Sequence, residues 1–139
     1  MADAGPMKHI LIIDDDEDFR DPIEIVLGSR GYRVRCASNG DQGVRMAAEE
    51  PPDLILLDFL MPVKNGLETS LELQELPGMG RVPILGLTAF GDRAIDFYGE
   101  GSVPAPANIR GYLEKPVEFD VLLERVALAL AGREIERAS

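Results

Sequence analysis

Short runs of aliphatic residues that end at an aspartate are the feature that most narrows how this chain can fold. Residues 10–13 read Ile-Leu-Ile-Ile and residues 54–57 read Leu-Ile-Leu-Leu, and an aspartate follows each run at once. A strand that is apolar at every position is buried on both faces, which is typical of a parallel sheet covered by helices on both sides. Residues 84–87 form a third such run, preceded by Pro83, and proline is tolerated at the start of a strand.

Two weaker strand patterns and four helical patterns accompany these runs. In residues 32–37, larger apolar side chains alternate with arginine and alanine, which predicts a half-exposed edge strand. Residues 111–113 form a short fifth strand candidate. The helical patterns cover residues 19–31, 41–50, 66–76 and 119–130. Because strands alternate with helices along the chain, we predict an α/β fold with an open, doubly wound parallel sheet.

The stretch before the fifth strand does not fit this alternation. Residues 92–98 could begin a helix, but glycines and prolines then follow, so we predict a short or irregular fourth helix and a loop over 99–109. The last helix is clearer. Its predicted core face consists of Phe119, Leu122, Leu123, Val126 and Leu130. Val121 and Leu128 lie off that face, and we expect them to be available to a partner.

Length and composition bound the number of domains and exclude several classes of function. The chain has 139 residues, enough for one domain, which we place at residues 7–131 between a tail at 1–6 and a tail or helix extension at 132–139. The net charge of −11 argues against nucleic acid or an anionic membrane as a direct partner. One cysteine, Cys36, and one histidine, His9, exclude a disulfide framework and a His- or Cys-rich metal site. Since the chain has neither a membrane-length apolar run nor a secretory signal, we expect a cytoplasmic protein.

Polar groups that suit phosphate chemistry follow four of the predicted strands. They are Asp14, Asp15 and Asp16 after the first strand, Asp58 at the third, Thr88 at the fourth and Lys115 after the fifth. In open α/β sheets, ligands bind beyond the carboxyl ends of the strands, so these groups are expected to converge. Crowded carboxylates require a cation or protons, and oxygen-rich sites favour Mg²⁺ or Ca²⁺. Together with a hydroxyl, an ammonium and a carboxylate that can attack phosphorus, such a cation forms a site for a phosphoryl group.

Four stretches of the chain resemble the receiver domain of bacterial two-component response regulators, of the single-domain type found in chemotaxis. They are residues 10–18 (Ile-Leu-Ile-Ile-Asp-Asp-Asp-Glu-Asp), 52–62 (Pro-Asp-Leu-Ile-Leu-Leu-Asp-Phe-Leu-Met-Pro), 83–89 (Pro-Ile-Leu-Gly-Leu-Thr-Ala) and 112–116 (Tyr-Leu-Glu-Lys-Pro). The resemblance covers essentially residues 7–131. It implies a flavodoxin-like fold with five parallel strands in the order 2-1-3-4-5.

The resemblance also implies a role for each matching side chain. Asp58 would accept the phosphoryl group, and Thr88 and Lys115 would hold the phosphoryl oxygens. Tyr112 would be the switch aromatic, which turns inward when Thr88 moves toward the phosphoryl group.

The resemblance further implies Mg²⁺ as the cofactor. Asp15 and Asp58 would bind the ion, Asp14 would act through water, and Leu60 would lend its backbone carbonyl. The chain departs from the family pattern at Lys64, where an apolar residue is commoner, and over residues 102–109, where prolines replace a Gly-Ala signature.

The partners implied by the resemblance are a sensor histidine kinase or a histidine phosphotransfer protein, and a downstream target protein or a missing output domain. No direct contact with nucleic acid or a membrane is expected. The chain would not be an enzyme beyond catalysing its own phosphorylation and slow dephosphorylation.

Two other functions compete with this hypothesis. A phosphohydrolase of the haloacid-dehalogenase type would use Asp14 as nucleophile and Asp16 two residues later, a spacing that the sequence satisfies. This hypothesis would leave the motif around Asp58 unexplained. Such hydrolases also need an acidic pair after a late strand, and the sequence beyond Lys115 offers only an amphipathic helix. The second competitor is a pseudo-receiver that acts as a scaffold without phosphorylation.

Two side chains in positions that the family leaves variable predict a long-lived phosphoryl group. Leu60 follows Asp58 by two residues and Phe90 follows Thr88 by two, so both should border the mouth of the pocket. Neither can hydrogen-bond a water placed in line with phosphorus, and both would exclude that water by bulk.

Overall fold

The computed structural model describes residues 7–61, 64–88 and 108–132 of the chain. Five strands form one sheet with all neighbouring pairs parallel. The strands are β1 (His9–Ile13), β2 (Arg33–Ala37), β3 (Leu54–Asp58), β4 (Ile84–Thr88) and β5 (Ile109–Glu114). Their order is β2-β1-β3-β4-β5, which confirms the predicted topology.

Four helices lie within the described residues, and we number them in chain order. They are α1 (Glu17–Gly28), α2 (Gly40–Glu49), α3 (Gly66–Glu75) and α4 (Phe119–Leu130). Polar side chains begin three of them: Asp16, Asn39 and Asn65 each accept a hydrogen bond from a backbone N–H in the first helical turn. None of the helices in the described ranges has the length and apolar character that crossing a membrane requires.

The core is divided between the two faces of the sheet. Ile10 and Ile12 of β1 belong to a cluster with residues of α1 and α4, whereas Leu11 and Ile13 belong to a cluster with residues of α2 and α3. All positions of β1, β3 and β4 are buried, because alternate side chains of a central strand face opposite layers of helices. This arrangement confirms the doubly wound α/β fold.

The outer strands differ in part from the prediction. β2 is an edge strand with half-exposed positions, as its alternating pattern predicts. β5 begins at Ile109 and ends at Glu114, so it is longer than the predicted residues 111–113, and the predicted loop over 99–109 is too long by one residue at its end. The prediction missed Ile109 and Glu114, which pair with Ile84 and Thr88, and Arg110, which lies at a register shift between the first two pairs. Such pairing depends on tertiary contacts that the local pattern does not contain.

The predicted face of the last helix is partly wrong. Leu122, Val126 and Ala129 are buried in the core, whereas Phe119 is 45% exposed. Phe119 is the first residue of α4, and long helical side chains lean toward the N-terminus, where no preceding turn lies beneath it. Val121 and Leu128 flank the buried stripe and pack against the core, so they are not the free surface that we expected.

Several predictions concern residues outside the described ranges. These are the short or irregular fourth helix predicted to begin at 92–98, residues 99–107 of the predicted loop, Phe90, the tail at 1–6, and residues 133–139 of the C-terminal tail.

Candidate functional site

Asp14 lies directly after β1 and is completely buried. Its backbone N–H donates to the carbonyl of Ala37 (3.1 Å), which holds the chain at the carboxyl end of the sheet. One carboxylate oxygen, Oδ1, accepts from the backbone N–H of Asp16 (2.9 Å). The other, Oδ2, lies 2.7 Å from Nζ of Lys115. Both oxygens of this buried charge therefore have a donor close by, as a buried ion requires.

Asp58 is the last residue of β3, and its side chain lies beside that of Asp14. The residue is only 5% exposed. Oδ1 accepts from the backbone N–H of Leu60 (3.0 Å), and Oδ2 lies 3.6 Å from Nζ of Lys115. Burial raises the pKa of Asp58 to about 6, the charge of Asp14 adds to this rise, and the Leu60 N–H and the Lys115 charge oppose it. Asp58 is thus the carboxylate whose charge is less well compensated.

Lys115 follows β5 and carries the ammonium that joins these two aspartates. Its backbone N–H donates to the carbonyl of Thr88 (2.7 Å), which brings the chain after β5 to the end of β4. Burial by itself lowers the pKa of Lys115, but the hydrogen bond and charge of Asp14 and the charge of Asp58 outweigh this effect and raise it. The ammonium also lies 4.4 Å from the ring centroid of Phe19, a cation–π contact.

Asp15 completes an acidic cluster that could hold a metal ion. One oxygen each of Asp14, Asp15 and Asp58 lies within 4.8 Å of the others, and Asp15 is exposed whereas its neighbours are buried. Three carboxylates are hard oxygen ligands, the donor type that divalent cations such as Mg²⁺ accept. The raised pKa of Asp58 fits the same conclusion, because a nearby cation would relieve the repulsion between the carboxylates.

Three further predicted site residues within the described ranges lie at or near the same edge of the sheet. Thr88 is the last residue of β4 and is fully buried, and Leu60 is half-buried two residues beyond Asp58. Tyr112 lies within β5, half-buried, and its ring meets that of Phe59 edge-on, with centroids 5.4 Å apart and planes at 78°. The structure thus brings together Asp14, Asp15, Asp58 and Lys115, with Thr88 at the neighbouring strand end.

Two contacts of the site were not predicted from the sequence. Arg20 donates to the backbone carbonyl of Asp14 (2.7 Å), and Phe19 lies beneath the Lys115 ammonium. The position of Phe19, close after the aspartates in the sequence, was the available signal. Asp16 is the N-cap of α1, and its side chain accepts from the backbone N–H of Asp18 (3.0 Å).

Comparisons with known proteins agree with this geometry. The family model described as "Response regulator receiver domain" matches residues 10–127. Protein PilH of Pseudomonas aeruginosa is 31% identical over 126 residues, which cover 91% of this chain and all of PilH. Transcriptional regulatory protein AfsQ1 of Streptomyces coelicolor is 33% identical over 94% of this chain, and the chain spans 54% of its length.

A solved structure of similar sequence shares the fold. The receiver domain of a sensor histidine kinase from Pseudomonas aeruginosa PAO1 is 32% identical and superposes with a TM-score of 0.74, covering 91% of this chain and 99% of that domain. That structure has a magnesium ion coordinated in its active-site cleft. Because the family model matches residues 10–127, well over half of the chain, the chain belongs to the response regulator receiver domain family.

Proposed function

We propose that this receiver domain accepts a phosphoryl group from a phosphohistidine onto Asp58. The observation that carries the proposal is the convergence of three carboxylates with one ammonium: Lys115 Nζ lies 2.7 Å from Asp14 and 3.6 Å from Asp58. An ammonium shared in this way can hold a phosphoryl oxygen while Asp14 keeps it in place. We infer that Thr88, at the end of the adjacent strand, supplies a hydroxyl to a second phosphoryl oxygen.

The reaction requires Asp58 in its ionised form. A carboxylate oxygen of Asp58 attacks phosphorus, the P–N bond to the imidazole breaks, and its electron pair stays on the imidazole nitrogen, which then takes a proton. Burial raises the pKa of Asp58 to about 6, so the carboxylate is largely ionised at neutral pH and still basic enough to attack. The Leu60 N–H, bonded to Oδ1 at 3.0 Å, orients the carboxylate for this step.

Mg²⁺ is the cofactor that we propose for this site. Asp14, Asp15, Asp58 and the backbone carbonyl of Leu60 would hold it, Asp14 through water. When bound, it neutralises charge on the carboxylates and on the phosphoryl oxygens. The magnesium ion in the cleft of the related histidine kinase receiver domain supports this choice over Ca²⁺.

The partners that we propose follow from the family. The phosphoryl donor is a sensor histidine kinase or a histidine phosphotransfer protein in the cytoplasm, and the receiver domain comprises residues 7–131. The phosphorylated domain acts on a downstream protein or an attached output domain, with Thr88 and Tyr112 as the switch. Its own catalysis is limited to its phosphorylation and slow dephosphorylation.

Mass spectrometry after treatment with acetyl phosphate tests the proposal. We expect one phosphoryl group per chain, located on Asp58, that requires Mg²⁺ and is absent from Asp58→Asn. Asp120→Asn is the matched control, because Asp120 is an exposed aspartate in the first turn of α4. Full incorporation with a chelator present, or unchanged incorporation in Asp58→Asn, would refute the proposal.

The same measurement separates the competing functions. A hydrolase of the haloacid-dehalogenase type would be modified at Asp14, but that side chain is completely buried and its Oδ2 is paired with Lys115. Asp16, the second residue that such a hydrolase needs, caps α1. A pseudo-receiver would remain unmodified under all conditions.

A further inference from the structure

Gly86, in the middle of β4, is a buried glycine, and a neighbouring ring fills the space that a side chain at this position would occupy. It pairs with Tyr112 of β5. A Cβ atom built on Gly86 would lie 2.6 Å from Cδ1 and 2.9 Å from Cε1 of Tyr112, closer than such atoms approach in proteins. Glycine within a strand often marks such a close approach. The Tyr112 ring therefore occupies space that any other residue at position 86 would take.

Phe59 bounds the same space. Its Cε1 atom would lie 3.0 Å from the Cβ built on Gly86, and its ring meets Tyr112 edge-on at 5.4 Å between centroids. Phe59 is fully buried and directly follows Asp58, and its backbone N–H donates to the carbonyl of Leu87 (2.9 Å). The Tyr112 ring thus contacts the residue covalently next to the proposed phosphoacceptor.

Thr88 lies on the same face of β4 as Gly86, because side chains two residues apart in a strand point the same way. Tyr112 on β5 is opposite Gly86, two positions along the strands from the pair of Thr88 with Glu114. Because Gly86 has no side chain, the Tyr112 ring lies next to Thr88 on this face of the two strands. The ring contacts the neighbour of Asp58 and lies close to Thr88 along the strands, and its position depends on the space at Gly86.

We propose that Gly86 is a positioning residue: it seats the Tyr112 ring against Phe59 and thereby sets how strongly phosphorylation changes the orientation of that ring. The proposal rests on the proposed function of Asp58 and extends it to a residue outside the site. A methyl group at position 86 would fill the space that the Tyr112 ring occupies. The ring is then displaced toward solvent whether or not Asp58 carries a phosphoryl group, and coupling between the two is lost.

Tyrosine fluorescence measures the ring position directly. The chain has three tyrosines and no tryptophan, so Tyr32→Phe together with Tyr98→Phe leaves Tyr112 as the single emitter. We expect beryllium fluoride with Mg²⁺, a stable mimic of the acyl phosphate, to change acrylamide quenching of this emission. In Gly86→Ala, quenching should be higher at the start and the change on adding beryllium fluoride at least twofold smaller. Gly80→Ala is the control, since a Cβ there meets nothing within 4 Å.

The two proposals fail in different ways. If acetyl phosphate labels Asp58 in Gly86→Ala as in the parent, but Tyr112 quenching responds equally in both, the role of Gly86 is refuted and the role of Asp58 stands. If the parent itself is not labelled, the proposed function fails first.

A double-mutant cycle keeps the inference testable if Gly86→Ala folds poorly. Overpacking by one methyl should lower the Tm by roughly 3–10 °C in the parent. In a Tyr112→Ala background the same change should cost at most half as much, because only the Phe59 contact at 3.0 Å remains. An equal loss in both backgrounds would overturn the assignment.

Discussion

At the scale of single residues, the two buried aspartates of the site are compensated unequally. Asp14 has a backbone N–H on Oδ1 and the Lys115 ammonium at 2.7 Å from Oδ2. Asp58 has the Leu60 N–H on Oδ1, but its Oδ2 is 3.6 Å from the same ammonium. Burial and the charge of Asp14 therefore raise the pKa of Asp58 to about 6. The negative charge of Asp58 is therefore unfavourable in this site, and a bound cation would relieve it.

Removing this charge should stabilise the fold in the absence of metal. A carboxyl group whose folded pKa is raised from 3.8 to about 6 contributes most to stability below pH 3.8, and this contribution is lost as the pH rises through about 6. With a chelator present, we expect Asp58→Asn to be more stable than the parent by roughly 2 kcal/mol at neutral pH, and this gain to shrink toward acid pH. Urea unfolding at two pH values measures the difference. Equal stability of parent and variant at neutral pH would contradict it.

His9 gives the opposite pH dependence at the other end of the sheet. It is 5% exposed, and its Nε2 accepts from Nε of Arg35 (2.7 Å). Burial lowers the pKa of His9 below 6.5, and the charges of Arg35 and Arg33 lower it further, against the opposing charges of Glu50 and Asp53. Neutral His9 thus stabilises the fold above pH 6.5, and this stability is lost as the pH falls through the lowered folded pKa.

We therefore expect His9→Gln to lose less stability than the parent between about pH 7.5 and about pH 5. A glutamine oxygen can still accept from Arg35, and it does not titrate. Comparing the two proteins cancels the titration of all other groups. Parallel stability curves for both would show that His9 does not carry the effect.

The lifetime of the phosphoryl group is a prediction about Leu60 and Phe90. Leu60 is half-buried beside Asp58, whereas Phe90 lies outside the described residues. Because neither side chain can orient an attacking water, we expect the double variant Leu60→Asn/Phe90→Glu to lose its phosphoryl group about tenfold faster at equal Mg²⁺. Decay of the labelled protein after removal of the donor measures this. An unchanged rate would mean that these positions do not control access of water.

At the scale of elements, one lysine joins the helices on one face of the sheet. Lys64 Nζ lies 2.7 Å from Oδ1 of Asp41 in α2 and 2.5 Å from Oε1 of Glu72 in α3. Asp41 is largely exposed, so solvent screens its ion pair with Lys64 and the pair adds little to the stability of the fold. The two pairs nevertheless link α2 to α3 through Lys64, the residue at which the chain departs from the family pattern. We expect the conformation of α2 to change less on phosphorylation than that of β5.

Amide hydrogen exchange tests this contrast between elements. Phosphorylation should change protection over residues 89–113 more than within α2, because the ring of Tyr112 contacts Phe59 beside the proposed acceptor. The comparison uses the same protein with and without beryllium fluoride, so α2 serves as the internal reference. Changes of equal size in α2 and near Tyr112, or none near Tyr112, would contradict the prediction.

At the scale of the whole molecule, the charge balance favours cation binding. The net charge of −11 attracts divalent cations and raises their local concentration near the acidic cluster. Because Asp14, Asp15 and Asp58 converge only when the sheet is formed, a cation bound by them binds the folded chain and not the unfolded one. Binding and stability are therefore linked.

Mg²⁺ should raise the Tm by about 10 °C at a concentration a hundredfold above its Kd. Asp15 is exposed, so Asp15→Asn should leave the Tm without Mg²⁺ nearly unchanged and strongly reduce the shift. Asp120→Asn, which removes an exposed charge that is not part of the acidic cluster, should retain the full shift. A shift of the same size in Asp15→Asn would place the cation elsewhere. Differential scanning calorimetry over a range of Mg²⁺ concentrations makes the measurement.

The aliphatic runs of β1, β3 and β4 were sufficient to predict a parallel sheet covered on both faces, because burial on both sides is written into consecutive residues. The same runs placed Asp14, Asp58 and Thr88 at one edge, since carboxyl ends of parallel strands meet there. The strand order and the role of each site residue came instead from the resemblance of whole motifs. The order is confirmed, and the roles remain proposals.

Only the tertiary structure decided which side chains meet across the sheet. The seat of Tyr112 on Gly86 depends on the register of β4 against β5, and the bond from Arg35 to His9 depends on the pairing of β2 with β1. The raised pKa of Asp58 depends on burial and on the distance to Asp14 and Lys115, which come from other strands. Local patterns report whether a residue is buried, but contacts between residues far apart in the chain arise from register, distance and dielectric surroundings that exist only in the folded molecule.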